Sequence, residues 1–216
     1  MKKIVPFLFP ASLLALVVVA VYARLTNARN LWAGMPVDCE MLMILAYVLW
    51  ICFEIAVTKT ETVQEARESD RGTREFYGIA QALVILSALM FEEAWLRPGP
   101  AHLAGIALFS AGVSLRVWAI RTLGAYYAHV VRTIEGHRII DTGPYRFIRH
   151  PAYAGNLAAH AGILLFFFNW ITLALFLFVF IPSVAARIMA EEKTLMKIDG
   201  YPEFARGRDR LIPYIW

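Results

Sequence analysis

Residues 150–186 run for 37 positions without an aspartate, glutamate, lysine or arginine. A bilayer core needs about 20 apolar residues per helix, so this block is long enough for a hairpin of two membrane helices. Three more blocks, 4–23, 76–91 and 98–115, carry no charge, and 41–58 carries only Glu54. Charged residues make up 18% of the 216 positions against 59% hydrophobic, too few to cover a soluble core of this size. Backbone polar groups in lipid must be satisfied within the chain, and long continuous apolar runs do that as helices. The pattern predicts an all-α, polytopic transmembrane helix bundle with membrane helices near 4–23, 41–58, 76–96, 101–120, 152–168 and 171–190. Phe168, Asn169 and Trp170 form the expected hairpin tip, and Pro182 is expected to kink the last helix.

The basic residues give this bundle an orientation. With six spans, seventeen of the twenty-one lysines and arginines fall on the side of both termini, and only Arg24, Arg29 and Arg97 on the other. Cytoplasmic loops carry such an excess, so both termini and the 121–152 loop are expected in the cytoplasm. The net charge of +4 is thereby explained by membrane topology, and no nucleic-acid partner is expected. The N-terminal Met-Lys-Lys followed by an apolar run reads as a retained first helix. The chain reads as one domain over 1–216. Four membrane helices occupy 1–120, and a polar loop, the hairpin and a tail occupy 121–216. No metal is expected: Cys39 and Cys52 form no CxxC pair, and His129, His137 and His150 lack ligand spacing.

Polar residues cluster in two stretches. The first is His137-Arg-Ile-Ile-Asp-Thr-Gly-Pro-Tyr-Arg-Phe-Ile-Arg-His-Pro-Ala-Tyr-Ala-Gly155. Gly143-Pro144 marks a turn, and Pro151 suits the first position of the helix that follows. His150 then lies at the helix cap, where free N–H groups and the dipole favour an anionic group, and Arg149 adds a fixed positive charge. The second stretch runs from Arg187 through Glu191 and Glu192 to Gly200, Tyr201 and Phe204. Arg187 and Glu191, four apart, share a helix face where the last helix leaves the membrane.

Simpler roles compete for several of these residues. Arg187 can snorkel to headgroups, and Glu54 and Arg116 can form an ion pair, snorkel, or line the substrate entrance. Glu192 reads as solvent-facing or salt-bridged, and His160 as a packing residue. The aromatic and basic tail, including Tyr201, Phe204 and Arg208, is expected to dock back over the pocket, and its make-up also suits simple interfacial anchoring.

The pattern H-x-[LI]-[VI]-x-x-G-x-Y-x-x-x-R-H-P-x-Y-x-G, a hairpin, and then R-x-x-x-E-E-x-x-L-x-x-x-x-G resembles the isoprenylcysteine carboxyl methyltransferases. The resemblance covers about residues 120–216. It implies S-adenosylmethionine as methyl donor, in a cytoplasm-facing pocket. The implied cofactor contacts are Arg132, His137, Arg138, Ile139, Ile140, Tyr145, His150, Pro151, Ala152, Tyr153 and Glu191. Arg187 is implied as the substrate contact, with Arg149, Arg187 and Glu191 as the catalytic set. The implied partners are membrane lipids and a lipid or prenylated substrate, such as an isoprenylated cysteine carboxylate, entering from the bilayer. Two related enzyme readings stay open: a phospholipid N-methyltransferase, and an NADPH-dependent reductase of the sterol reductase type. A non-enzymatic scaffold or small transporter is the third. No G-x-G-x-x-G follows a strand, so the soluble dinucleotide-fold route to this cofactor is excluded.

Overall fold

The computed structural model describes residues 37–59, 72–91, 93–94, 99–124 and 139–216, with Val18 and Tyr22 besides. The expected first helix, near 4–23, lies almost wholly outside the described residues. The chain is an all-α membrane bundle, and among the described residues the sole β pairing is an isolated parallel bridge between Ile148 and Asp209. Five of the predicted membrane helices are found in α1 (Val37–Lys59), α2 (Thr73–Met90), α3 (Pro100–Leu123), α4 (Pro151–Phe166) and α5 (Trp170–Leu195). A short α6 (Tyr201–Arg206) follows in the tail. Residues 39–57 of α1, all of α3 and all of α5 are long and apolar enough to cross a membrane.

Local chemistry sets the boundaries. Proline occupies the first turn of α3 and α4, where the missing N–H leaves nothing unpaired. Helix α2 ends at Met90, earlier than position 96, because Phe91 turns extended and Ala94 N–H crosses to the Phe168 carbonyl at 2.7 Å. That bond belongs to a clasp around the hairpin tip. Asn169 caps α5 by accepting from Thr172 N–H at 2.8 Å, and its amide donates to the Ser87 carbonyl at 3.3 Å. Pro182 acts upstream of itself: it has no N–H for the helical ladder, and Phe176–Phe180 forms a π-helical turn just before it.

Helix α4, with 16 residues, is about 24 Å long, short of a bilayer core of about 30 Å. It is the buried centre of the bundle: Asn156, Ala159, His160, Ile163 and Phe166 are all enclosed. It lies antiparallel to α3 with the two backbones touching. A Cβ on Gly112 would come within 2.3 Å of Ala159 N, and one on Gly162 within 2.4 Å of Phe109 N. In lipid, where apolar surface gives no drive to association, small residues that admit such contact hold helices together. Met43, Tyr47 and Trp50 of α1 close one side of this pair together with Ile85 and Leu89 of α2. Ala80 and Val84 of α2 meet Phe180, Val184 and Ile188 of α5 on the other. Leu42, Leu45, Leu49, Leu103 and Phe178 point outward, as side chains facing lipid do.

Candidate functional site

The site is built where α4 begins and α5 ends, at the opposite end of the hairpin from its tip. The loop enters through Ile139 and Ile140, forms a 3-10 turn over Gly143–Arg146, and delivers His150 as the α4 cap with Pro151 in the first turn. Helix α5 brings Arg187, Glu191 and Glu192 alongside. Two polar clusters result, one on each side of the seam.

The first cluster joins Arg187, Tyr153 and Glu191. The Tyr153 hydroxyl donates to Glu191 Oε2 at 2.8 Å and accepts from Arg187 Nε at 3.2 Å. Arg187 Nη1 also donates to the Thr73 hydroxyl at 3.2 Å, which brings in the first turn of α2. Arg187 is 3% exposed, so it does not snorkel; Glu191 is half-buried. A cation and a carboxylate thus share one phenol oxygen at the membrane exit of α5.

The second cluster centres on Glu192, which is buried. Its Oε1 accepts from Arg149 Nη1 at 2.8 Å and lies 3.2 Å from His150 Nε2, and its Oε2 accepts from Arg210 Nε at 2.8 Å. Arg149 Nε donates to the Arg208 carbonyl, while Arg149 and His150 N–H donate to the Asp209 and Arg210 carbonyls. The anion at the start of α4 is therefore the chain's own Glu192, which ties loop, helix end and tail into one unit. Two guanidiniums against one carboxylate still leave net positive charge whatever the state of His150. Of the two readings of Glu192, the salt bridge is the one found.

The tail docks as the aromatic pattern predicted. Tyr201, Phe204 and Ala205 pack with Tyr145 and Ala152, and Ile139 borders the same core. Arg208 lies 4.4 Å over the Phe204 ring and donates to the Arg146 carbonyl. Burial raises the Tyr145 hydroxyl above the usual tyrosine range, with the charge of Glu191 adding to it. Burial and then Glu192 and Glu191 do the same to Tyr201. The Tyr201 hydroxyl is buried with no hydrogen-bond partner among the described residues, a polar atom at the edge of the site that a ligand can satisfy.

The structure brings Ile139, Ile140, Tyr145, Arg149, His150, Pro151, Ala152, Tyr153, Arg187 and Glu191 into this one region. Arg132, His137 and Arg138 lie outside the described residues. Four further polar contributors come from elsewhere. Arg116 pairs in two-pronged fashion with Glu54, its Nη2 2.8 Å from Oε2, and its Nη1 donates to the Ala152 carbonyl at 3.0 Å. Thr73 and Arg210 reach the clusters as described. Asn156 donates to the Tyr77 hydroxyl from within α4. Asn156 carried a sequence signal, a polar amide inside a charge-free apolar block. Thr73 and Arg210 carried none, because only the packing of distant segments brings them in. Among the described residues no group of histidine, cysteine and carboxylate side chains can hold a metal.

The family model described as the isoprenylcysteine carboxyl methyltransferase family matches residues 105–197. An uncharacterised Bacillus subtilis protein, YpbQ, is 27% identical over 72% of this chain and 96% of its own length. The Saccharomyces cerevisiae protein-S-isoprenylcysteine O-methyltransferase is 34% identical over 51% of this chain and 48% of its own. The Arabidopsis thaliana protein-S-isoprenylcysteine O-methyltransferase B is 31% identical over 51% of this chain and 58% of its own. The chain thus spans about half the length of the yeast and plant relatives. The matched part contains both polar clusters apart from Thr73 and the tail.

Proposed function

We propose that this chain is a membrane-embedded member of the isoprenylcysteine carboxyl methyltransferase family, to which residues 105–197 are similar, and that it moves a methyl group from S-adenosylmethionine to a lipidic acceptor held in the bilayer. The favoured acceptor is the carboxylate of an isoprenylated cysteine or an analogue of it. The observation that carries this reading is the Arg187–Tyr153–Glu191 cluster, which offers a cation and a carboxylate on one phenol oxygen at the end of a membrane helix.

When bound, S-adenosylmethionine supplies a methyl on a cationic sulfur, which becomes a neutral thioether as the bond to the acceptor oxygen forms. The chain's residues fit such a molecule. Half-buried Glu191 suits its amino or ribose hydroxyl groups, the net positive charge around Arg149 and Arg210 suits its carboxylate, and the Tyr201 hydroxyl, without a partner among the described residues, suits a polar atom. Tyr145, Pro151 and Ala152 would border it from the loop and helix start, with Arg132, His137 and Arg138 as further contacts by family resemblance.

An in-line displacement needs alignment and a dry site more than acid–base help. A carboxylate acceptor carries no proton to remove, so Arg187 has only to hold and aim it. Tyr153 and Thr73 fix the guanidinium for that task. The excess of basic residues on the same side supports a cytoplasmic site with both termini on that face.

Calorimetry on the purified full chain tests the reading. S-adenosylhomocysteine should bind, and Glu191→Ala and Tyr153→Ala should each weaken it. Folded protein that binds NADPH and not S-adenosylhomocysteine would reverse the conclusion in favour of a reductase.

A further inference from the structure

Residues 211–216 fold into a closed turn whose inner and outer faces differ. Leu211 N–H donates to the Trp216 main-chain oxygen at 2.8 Å, and Ile215 N–H donates to the Ile212 carbonyl at 3.1 Å. Inward, Leu211 is a buried member of the apolar cluster that joins α2 to α5, and Trp216 packs against that cluster. Arg210, just before the turn, donates from Nε to Glu192 at 2.8 Å and lies 5.2 Å from the centre of the Trp216 ring. The turn is thereby pinned beside the last turns of α5, where that helix leaves the membrane. Outward, Ile212 is 51% exposed, Ile215 75% and Tyr214 100%.

Tyr214 occupies the most demanding position of this turn. Residues 212–215 form a β-turn with Pro213 second and Tyr214 third, and Tyr214 has a φ of 67°, the one positive φ outside glycine among the described residues. A type II turn requires positive φ at its third position, where glycine or asparagine fits at least cost. For a bulky residue that conformation is an outlier. The Asp209 carboxylate holds it in place by accepting from Tyr214 N–H at 2.7 Å. The ring, fully exposed, buries no area against the chain in return. A strained backbone thus presents an aromatic ring that contributes nothing to folding, so what the ring recognises lies outside the chain.

We propose that this turn is an interfacial anchor, with Ile212, Tyr214 and Ile215 seated where headgroups meet acyl chains in the leaflet on the site's side. The two helices that hold the turn already face lipid, through exposed Phe76, Ile79 and Leu83 of α2 and Ile181 and Met189 of α5. The turn adds apolar surface to that belt at the end where the site lies. Residues 211–216 carry no charged side chain, so their insertion strips water from no ion. Tyrosine suits the boundary, because its ring enters the apolar zone while its hydroxyl stays among headgroups and water. A protein partner fits less well: three side chains of one turn fall far short of the roughly 1,000 Å² that a stable protein interface buries. Seated this way, the turn holds Arg210 beside Glu192 from the membrane side. Lipid then clamps the tail over the site together with its ion pairs. The anchor does not depend on which reaction the site performs.

The test places the unaltered full chain in vesicles of phosphatidylcholine and phosphatidylglycerol that include a phospholipid with a photoactivatable diazirine high on its acyl chain. After illumination, mass spectrometry should find lipid adducts on the peptide that follows Arg210. Hydroxyl-radical footprinting of the same vesicles should oxidise Tyr214 several-fold more slowly than a free peptide of residues 211–216. Neither measurement needs a variant to fold. Tyr214→Gly suits the positive φ and keeps the turn, and it should lower the adduct yield. Adding Ile212→Ser and Ile215→Ser should remove most of what is left. Tyr214 oxidised as fast as in the free peptide, or no lipid adduct on the tail, would overturn the proposal. So would crosslinks from the tail to a second copy, or to another segment of this chain, in place of lipid. An adduct yield that survives all three substitutions would overturn it as well.

Discussion

A Cβ built on Gly112 would lie 2.6 Å from the carbonyl oxygen of Gly155, and one built on Gly155 would lie 2.6 Å from the carbonyl oxygen of Gly112. The contact is backbone to backbone, so no side chain can swing aside to relieve it. It fixes where α4 begins relative to α3, and α4 begins at the candidate site. Gly112→Ala should therefore force the helices apart at a cost of about 3 kcal/mol, the upper range for overpacking. Thermal unfolding in detergent should show the loss. Cofactor binding should weaken with it, since Arg116 on α3 holds the Ala152 carbonyl.

Glu192 is the acceptor shared by Arg149, Arg210 and His150. Removing it leaves two guanidiniums facing each other without compensation. Glu192→Ala should cost about 3–5 kcal/mol, as breaking a buried ion pair does. Limited proteolysis should then cut the tail after α6, which Glu192 helps tie to the loop. Tail cleavage no faster than in the unaltered chain would argue against this role.

Arg187 should act on the acceptor and not on the cofactor. Arg187→Gln keeps a donor for Tyr153 but loses the charge. The expected result is a KM for the prenylated acceptor raised at least about tenfold, the scale of one charge-assisted hydrogen bond. S-adenosylhomocysteine affinity should change little. A variant that lost cofactor affinity and kept its acceptor KM would reverse the two assignments.

The alkaline limb of stability should report Tyr145 and Tyr201. Burial raises both hydroxyls in the folded chain, whereas in the unfolded chain they titrate near about 10. Above that pH the unfolded state loses protons that the folded state keeps, so stability falls as pH rises. Their contribution is intact below about 10 and shrinks progressively above it. Tyr145→Phe and Tyr201→Phe should each flatten that alkaline decline, measured as melting temperature against pH. Tyr201→Phe should not destabilise at neutral pH, because its hydroxyl has no partner among the described residues.

Much of the architecture was legible without coordinates. Long apolar blocks with few or no charges located α1 to α5, because a membrane helix needs about 20 predominantly apolar residues. Proline and glycine marked several ends for local steric reasons. The boundary that moved most, the end of α2 from 96 to Met90, was set by Ala94 reaching the Phe168 carbonyl, a contact across the fold. Pro182 announced a disturbed helix, but not that the disturbance would be a π-helical turn at Phe176–Phe180.

The sequence by itself determined that this chain is a helical membrane protein, and that its polar residues concentrate in the loop before α4 and at the end of α5. Both follow from local rules: hydrophobic length, capping and helical spacing. Only the tertiary structure decided how those polar residues divide. Arg149 and His150, available on paper for a ligand, are bound to Glu192, while Arg187 and Glu191 meet on Tyr153. It also decided that Glu54 pairs with Arg116 and that Asn156 and His160 are fully buried. A pairing between residues tens of positions apart depends on which helix faces which. That is set by backbone contacts such as Gly112 with Gly155, and no local pattern encodes it.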